Sequence, residues 1–414
     1  MSSLPLQYEE AVRLADEFGT PLFVYDEARL LEQCDRALAF PAPYGLTVRY
    51  AMKAAPTAGL LRLFHKQGLH IDASSGFEID RARAAGIPAE NISLSTQELP
   101  VDFADKIREG VTLNACSLEQ LRRYGEALPG SEVGVRFNPG LGSGGTNRTN
   151  VGGPASSFGI WHEYLDEVKE ILAEFDLTAV RIHSHIGSGS DPAVWQRVAS
   201  LNLRLAASLP TAKTLNLGGG FKVGRMPGEP STDLQQIGQP VVAELRRFAE
   251  EHGRELHLEI EPGTFLMANA GTLLARVQDV ADTGAQGYRF LKLDAGMTEV
   301  LRPSLYGAQH PIEVLRASPT EKREETIVVG HCCESGDIFT PAPGDPEALA
   351  PRELPPAGIG DFVLIGGVGA YCSTMCATGY NSFPAPPEVL KKRNGDFALL
   401  RRRQEAAQLT ANEC

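Results

Sequence analysis

Long apolar runs are missing from this sequence. None approaches the roughly 18 residues that a membrane-spanning helix needs, so the chain offers no candidate span. The first residues, MSSLPLQYEEAVRLADEFG, have neither the basic region nor the apolar stretch of a secretion signal. Cysteine is scarce and odd in number, seven in 414 residues. That reads as reduced thiols in a cytoplasmic protein, not as a disulfide framework. Basic charge is also short, with 39 Lys and Arg against 52 Asp and Glu. The resulting net charge of −13 argues against nucleic acid or an anionic membrane as the main partner. A small charged substrate stays open, because a basic pocket can sit inside an acidic chain. Solenoid-type repeats are absent as well.

What the sequence has is alternation. Short apolar runs appear at TVRYAM (47–52), LHIDAS (69–74), ISLS (92–95), TLNAC (112–116), EVGVRFN (132–138), AVRIHSHIG (179–187), TLNLGGG (214–220) and LHLEIEPG (256–263). Between them lie segments such as TAGLLRLFHKQG and EYLDEVKEILAEF, whose apolar residues recur at three and four. Eight strands, seven of them followed directly by a helical segment, predict a (β/α)8 barrel across residues 36–295. An open doubly wound sheet is the alternative. It is weakened by the lack of G-x-G-x-x-G or G-x-x-x-x-G-K-[ST] after a strand. From residue 296 the texture changes. Prolines cluster in PAPGDPEALAPRELPPAG (341–358), and TIVVGH and DFVLIGG follow without intervening helices. This predicts a mostly β C-terminal domain over 296–414, joined by an N-terminal segment, 1–35, through PLFVYD (21–26). The glycine-rich stretch GLGSGGTNRTNVGGP (140–154) reads either as a flexible connection or as a lid at the barrel mouth.

Barrel enzymes carry their chemistry at the C-terminal ends of the strands. Here those ends read Lys53, Asp72, Ser95, Asn114, Asn138, His185, Gly218-Gly219-Gly220 and Glu261. A lysine among apolar neighbours, as in YAMKAAP, is expected to have a depressed pKa and to act as an amine nucleophile on a carbonyl. A triple glycine lets backbone approach a phosphate, and Ser188 could add a hydroxyl. Glu261 could pair with a ring nitrogen and His185 could stack on a ring. Together they describe a pyridoxal phosphate site. Singly each has a plainer reading: a solvated lysine, a tight turn, a cap. The rival is a metal hydrolase built on His183 and His185, extended by His331, Cys332 and Cys333. It lacks a third strand-end histidine, so no metal is expected.

The motifs YAMKA, HSHIGSG, LNLGGGF, EIEPG, LRPSLYGAQHPI, CESGD and GAYCSTMCATGYN occur in this order from residue 50 to 381. In these the chain resembles the fold type III, alanine-racemase-like pyridoxal phosphate decarboxylases. PLFVYD and FALLRRRQ at the flanks fit too, so the resemblance covers nearly the whole chain. It implies that Lys53 carries the cofactor covalently, with Asp72 close by. His185 would stack on the ring and Glu261 would keep its nitrogen protonated. Ser188, Gly219, Gly220, Gly263 and Tyr371 would hold the phosphate. Arg302 and Tyr306 would bind the substrate carboxylate, whose two oxygens suit a planar guanidinium. Cys333 would return a proton to Cα, with Glu334 binding substrate beside it. The resemblance also implies a homodimer whose CES segment reaches the neighbouring subunit's site.

The substrate it implies is an amino acid with a second charged end, foremost meso-diaminopimelate, giving L-lysine. Ornithine, arginine or carboxynorspermidine would keep the same chemistry. A non-catalytic cofactor-binding regulator is disfavoured because Lys53, Glu261 and Cys333 are all retained. One departure stands out. Where the family reads EPGR, with the arginine on substrate, this chain has Thr264. The expectation from sequence is that Arg148, in the glycine-rich stretch, supplies the lost charge.

Overall fold

A computed structural model of the protein describes residues 6–142, 151–187 and 192–414. The chain divides into two compact units. One comprises Met1–Leu31, Gly224–Glu229 and Met267–Cys414, and the other Glu32–Val223 and Pro230–Leu266. The sequence reading puts the second break after residue 295, whereas the contacts put it after Leu266. The reason is a long strand, Gly271–Asp282, that pairs with Leu22–Asp26 near the N-terminus.

The first strand, β1 (Leu22–Asp26), lies in the β-rich unit. The next nine lie in the barrel unit: β2 (Leu46–Ala51), β3 (His70–Ala73), β4 (Ile92–Leu94), β5 (Thr112–Ala115), β6 (Glu132–Asn138), β7 (Ile160–Trp161), β8 (Thr178–His183), β9 (Thr214–Asn216) and β10 (His257–Ile260). Parallel pairing runs β2-β3-β4-β5-β6-β8-β9-β10, and β10 returns to β2 with Leu258 opposite Leu46. The barrel is therefore closed, and its eight strands are those the alternation predicts. The two-residue β7 is an addition beside β6 that the sequence reading missed. Helices cover the outside, so the strands are buried on both faces and read as near-continuous apolar runs.

Polar caps turn strand into helix within a few residues. Ser75, just past β3, accepts the N–H of Glu78 and starts the helix Gly76–Ala84. Ser117, past β5, does the same for Gln120 and the helix Leu118–Ala127. Each satisfies a backbone donor that helix geometry leaves unpaired. Inside the barrel, Gly134 makes room for a neighbour. A Cβ there would lie 2.2 Å from Asn114 Oδ1.

The β-rich unit continues with β11 (Gly271–Asp282), β12 (Arg289–Leu293), β13 (Ile312–Leu315), β14 (Glu324–Val329), β15 (Pro341–Ala342), β16 (Asp345–Leu349), β17 (Arg352–Leu354), β18 (Phe362–Ile365), β19 (Glu388–Lys391) and β20 (Phe397–Arg401). Its main sheet runs β17-β14-β12-β11-β1-β19-β20, with β18 bridging β11 and β13. Its core packs Leu14, Leu22, Val24, Leu274, Phe362, Leu364 and Val389 together. Thus PLFVYD does supply a strand to this unit. Among the described residues no helix is long and apolar enough to cross a membrane.

Candidate active site

Charged and polar residues sit in the middle of the barrel's apolar strands. Arg49, Arg136, Arg181, Glu259, His183 and Asn216 are all buried. Unpaired, each would be costly to hold there. Glu259 meets Arg49 Nη2 at 2.8 Å and Arg181 Nε at 3.0 Å. Burial pushes its pKa up, but the two guanidiniums outweigh that and bring it to about 2. Asn216 Nδ2 then links two acids, donating to Glu259 Oε2 at 3.1 Å and to Glu261 Oε1 at 2.7 Å.

Glu261 stands one step beyond the end of β10. His183 Nε2 is 3.1 Å from both of its oxygens. Burial alone would raise Glu261; His183, with His185 and Lys53, outweighs it and holds the carboxylate well below the usual range. Burial lowers the His183 pKa, so the ring is neutral at pH 7 and donates its Nε2–H. This residue carries no role in the sequence reading, which takes it only as a rival metal ligand. The overlooked signal is a charged or polar residue at every second position of a buried strand, as in Arg181-Ile182-His183 and Glu259-Ile260-Glu261.

Lys53 lies in a 3-10 turn, Met52–Ala54, directly after β2. Ala51, Met52, Ala54 and Ala55 around it are buried. The lysine side chain itself is 43% exposed. The apolar neighbours therefore anchor the turn and do not wall in the amine. Its Nζ donates to Ser74 Oγ at 3.1 Å and lies 3.6 Å from Asp72 Oδ2. The sequence reading expects an apolar pocket; the structure gives a carboxylate instead. Asp72 is buried, and its Oδ1 has no protein partner. Burial, then the nearby Glu261, push its pKa up to about 8.

His185 is half-buried, and its Nδ1 accepts the N–H of Gly219 at 2.9 Å. Burial, Arg136 and Lys53 push its pKa down to about 3. The ring is neutral with its proton on Nε2, a flat surface at the mouth. Backbone crowds in at the glycines. A Cβ on Gly219 would fall 2.4 Å from Glu261 O, and one on Gly220 2.5 Å from Gly187 O. Gly219 thus contributes closeness to the cradle, since its N–H serves His185. Gly263 is buried in the turn between Glu261 and the helix Thr264–Met267. At other strand ends, Asn114 donates to Ser95 Oγ at 3.0 Å. Asn138 pins the glycine-rich connection, accepting the N–H groups of Gly140 and Gly153 and donating to Gly153 O. Ser188 and Arg148 lie outside the described residues.

The other sequence candidates belong to the β-rich unit. Arg302 opens the helix Arg302–Tyr306, with its guanidinium 5.9 Å from the Tyr306 ring centroid. Cys333 and Glu334 are exposed. The Cys333 N–H donates to Asn381 Oδ1 at 2.9 Å. Its neighbour Cys332 is buried, and burial together with Asp337 pushes that thiol up to about 12. Of the adjacent pair, Cys333 is the one exposed to solvent. Tyr371 is half-buried and has φ +57, a backbone state uncommon outside glycine. Among the described residues no group of three or more His, Cys, Asp or Glu side chains is arranged to hold a metal.

The barrel unit thus offers an exposed amine beside a buried acid, a second carboxylate held ionised, a neutral imidazole and a glycine turn. These residues fit pyridoxal phosphate: an amine for its aldehyde, a carboxylate for its ring nitrogen, and backbone free of Cβ atoms at the turn. Such a site on a (β/α)8 barrel defines a cofactor-dependent enzyme of amino-acid chemistry. The family described as "Pyridoxal-dependent decarboxylase, pyridoxal binding domain" matches residues 27–268, more than half of the chain. The chain belongs to this family of pyridoxal-dependent decarboxylases. It is 37% identical to the diaminopimelate decarboxylase of Streptomyces coelicolor, over 96% of this chain and 90% of that protein. A crystal structure of a diaminopimelate decarboxylase superposes with a TM-score of 0.91 at 34% identity, covering 100% of this chain and 98% of the other. The Helicobacter pylori enzyme, solved with L-lysine, gives 0.86 at 26% identity, covering 97% and 98%.

Proposed function

We infer that this chain decarboxylates meso-diaminopimelate to L-lysine with pyridoxal phosphate as its cofactor. The observation that carries the chemistry is the pairing of Lys53 and Asp72 beside a Glu261 that His183 and Asn216 keep ionised. The substrate rests on the near-complete coverage by diaminopimelate decarboxylases.

When bound, pyridoxal phosphate supplies an aldehyde for the substrate amine and an electron sink for the pair left when CO2 departs. Lys53 would hold it through its aldehyde carbon, and the exposure of the lysine side chain would leave that carbon reachable by an incoming substrate amine. Glu261 keeps a proton on the ring nitrogen. His185, neutral, would stack on the ring without adding charge. Gly219, Gly220, Gly263 and Tyr371 would take the phosphate; Ser188, which lies outside the described residues, is a further candidate. Arg302 and Tyr306 bind the carboxylate that remains on the product. Cys333 returns a proton to the substrate Cα, with Glu334 alongside.

The exposure of Cys333 and Glu334 supports a homodimer with shared sites. A proton donor for Cα works best where water is excluded, and a second copy would cover this segment. The enzyme acts in the cytoplasm on this reading.

The test is an end-point assay on purified protein loaded with pyridoxal phosphate and given meso-diaminopimelate. L-lysine from the wild type, and on the order of 10³-fold less from Lys53→Ala, is expected. Cofactor bound through Lys53 but no L-lysine would discard the substrate and keep the chemistry.

A further inference from the structure

We propose that Asn216 is a positioning residue that locks the acid for the cofactor's ring nitrogen to the glycine turn for its phosphate. It joins Glu261 to Gly218, so the two ends of pyridoxal phosphate meet groups held at one fixed spacing. This rests on the cofactor chemistry inferred above and not on the substrate.

Asn216 is the last residue of β9, which lies between β8 and β10. It pairs with His183 on one side and with Glu259 on the other. It is fully buried. Three hydrogen bonds close a ring there. Asn216 Nδ2 donates to Glu261 Oε1 at 2.7 Å. The Glu261 N–H donates to Gly218 O at 2.8 Å. The Gly218 N–H donates back to Asn216 Oδ1 at 2.8 Å. None of the three residues can shift without straining its bonds to the other two, and a satisfied buried network of this kind is rigid.

The amide has one orientation. Its Nδ2 also donates to Glu259 Oε2 at 3.1 Å. Turned over, it would set its oxygen against two carboxylates and its hydrogens against the Gly218 N–H. Gly218 in turn begins the glycine turn. It has φ +65, and a Cβ on it would lie 2.6 Å from His185 Nδ1. The next N–H, that of Gly219, reaches the same Nδ1 at 2.9 Å. Fixing Gly218 therefore also fixes the imidazole and the glycines that follow. His183 does a different job. Its Nε2 holds the Glu261 carboxylate, and its Nδ1 has no hydrogen-bond partner. Its ring thus serves the acid, whereas Asn216 connects the acid to the turn.

A buried asparagine beside two acids also has a plainer reading, as a partner for polar groups that burial would leave unpaired. The cofactor separates the two. Asn216→Leu keeps the branched shape and removes the amide. In the holoenzyme, the NMR signal of pyridoxal phosphate labelled with 15N in its ring is expected to move toward the neutral pyridine position. A carboxylate that has lost its shortest hydrogen bond holds a proton more firmly. Affinity for pyridoxal phosphate should fall about 10–100-fold, the worth of a hydrogen bond to a charged group. Affinity for pyridoxal, which has no phosphate, should fall less, because only its ring end is affected.

Asn216→Asp is the second variant and stands in if the leucine variant does not fold. Beside Glu259 and Glu261 its carboxyl is expected to keep a proton near neutrality. That form offers an O–H to Glu261 and an oxygen to Gly218, as the amide does. Its affinity for pyridoxal phosphate should match wild type at about pH 6 and fall below it by about pH 9, where a third negative charge replaces the donor.

An unmoved ring signal and unchanged affinities, with only a lower urea midpoint, would make Asn216 a structural filler and overturn the proposal. Equal losses for pyridoxal phosphate and pyridoxal would leave the turn out of it, with the same consequence. So would a loss confined to pyridoxal phosphate with the ring signal unmoved, or an Asn216→Asp variant that tracks wild type across the pH range. A wild type that binds the cofactor but forms no L-lysine, with both expected shifts in the variants, would sink the inferred substrate and uphold the role of Asn216.

Discussion

In the barrel unit, buried charges answer one another. Glu259 has Arg49 and Arg181, and Glu261 has His183 and Asn216. In the β-rich unit the candidate residues lack such answers. Arg302 meets no acid among the described ion pairs and its Nε is buried without a partner, and Cys333 and Glu334 stand in the open. The candidate cofactor residues of the barrel unit are thus organised before anything binds. On the proposed function, the candidates of the β-rich unit are groups that a ligand anion and a second copy would complete. Fixed dipoles and charges that need no rearrangement are the cheaper way to stabilise a reacting ring. A substrate-binding group must instead give up water for each new ligand.

That contrast breaks first at Glu261. Glu261→Gln keeps the shape and removes the charge. Loss of kcat on the order of 10²–10⁴-fold is expected, with little change in KM for meso-diaminopimelate. A kcat within threefold of wild type would show that the ionised carboxylate is not what the barrel network is for. Next comes stability. Glu259→Gln leaves Arg49 and Arg181 buried without their acid, at a cost of about 3–5 kcal/mol in a urea melt. An unchanged midpoint would mean the network is not sealed from water.

The β-rich unit is tested by mixing. Cys333→Ser and Lys53→Ala are each expected to be strongly impaired. If sites are shared between copies, subunits exchanged from equal amounts of the two should regain roughly a quarter of wild-type activity. Half the dimers are then mixed, and each of those has one intact site of two. No recovery, with exchange demonstrated, would confine each site to one chain.

The eight barrel strands were legible because burial on both faces makes them continuous apolar runs. The partition of the C-terminal part was less so. Gly271–Asp282 carries no turn signal separating it from the barrel, and only its pairing with Leu22–Asp26 assigns it to the other unit. Lys53 was found for a reason that proved half right, since its apolar neighbours are buried and its amine is not. His183 and Asn216 were legible in principle, as polar residues placed inside buried strands. The excursion Gly224–Glu229 was not. Nothing in FKVGRMPGEP announces that these residues leave the barrel unit and that Arg225 packs on Gly367.

The smallest effect sharpens the comparison most narrowly. Each unit holds a buried carboxylate whose pKa is raised to about 7 or 8, and the two differ in their neighbours. Asp72 has the Lys53 ammonium at 3.6 Å. Glu299 has His331 Nε2 at 3.6 Å, but burial pushes that imidazole down to about 4, so it is neutral at pH 7. Burial, with Asp337 and Asp294 nearby, brings Glu299 to about 7 against an ordinary 4.5. The folded state therefore binds the extra proton between those two values. Its contribution to stability is complete below the lower one and is lost as pH rises through the upper. Glu299→Gln removes this dependence while its amide oxygen can still accept the N–H of Gly296 that Oε2 accepts now. The variant should match wild type near pH 5 and exceed it by about 1–3 kcal/mol above pH 8. Urea melts across that range check it. Parallel curves for the two proteins would mean that Glu299 titrates normally, and that in the β-rich unit burial alone does not keep a carboxyl group protonated.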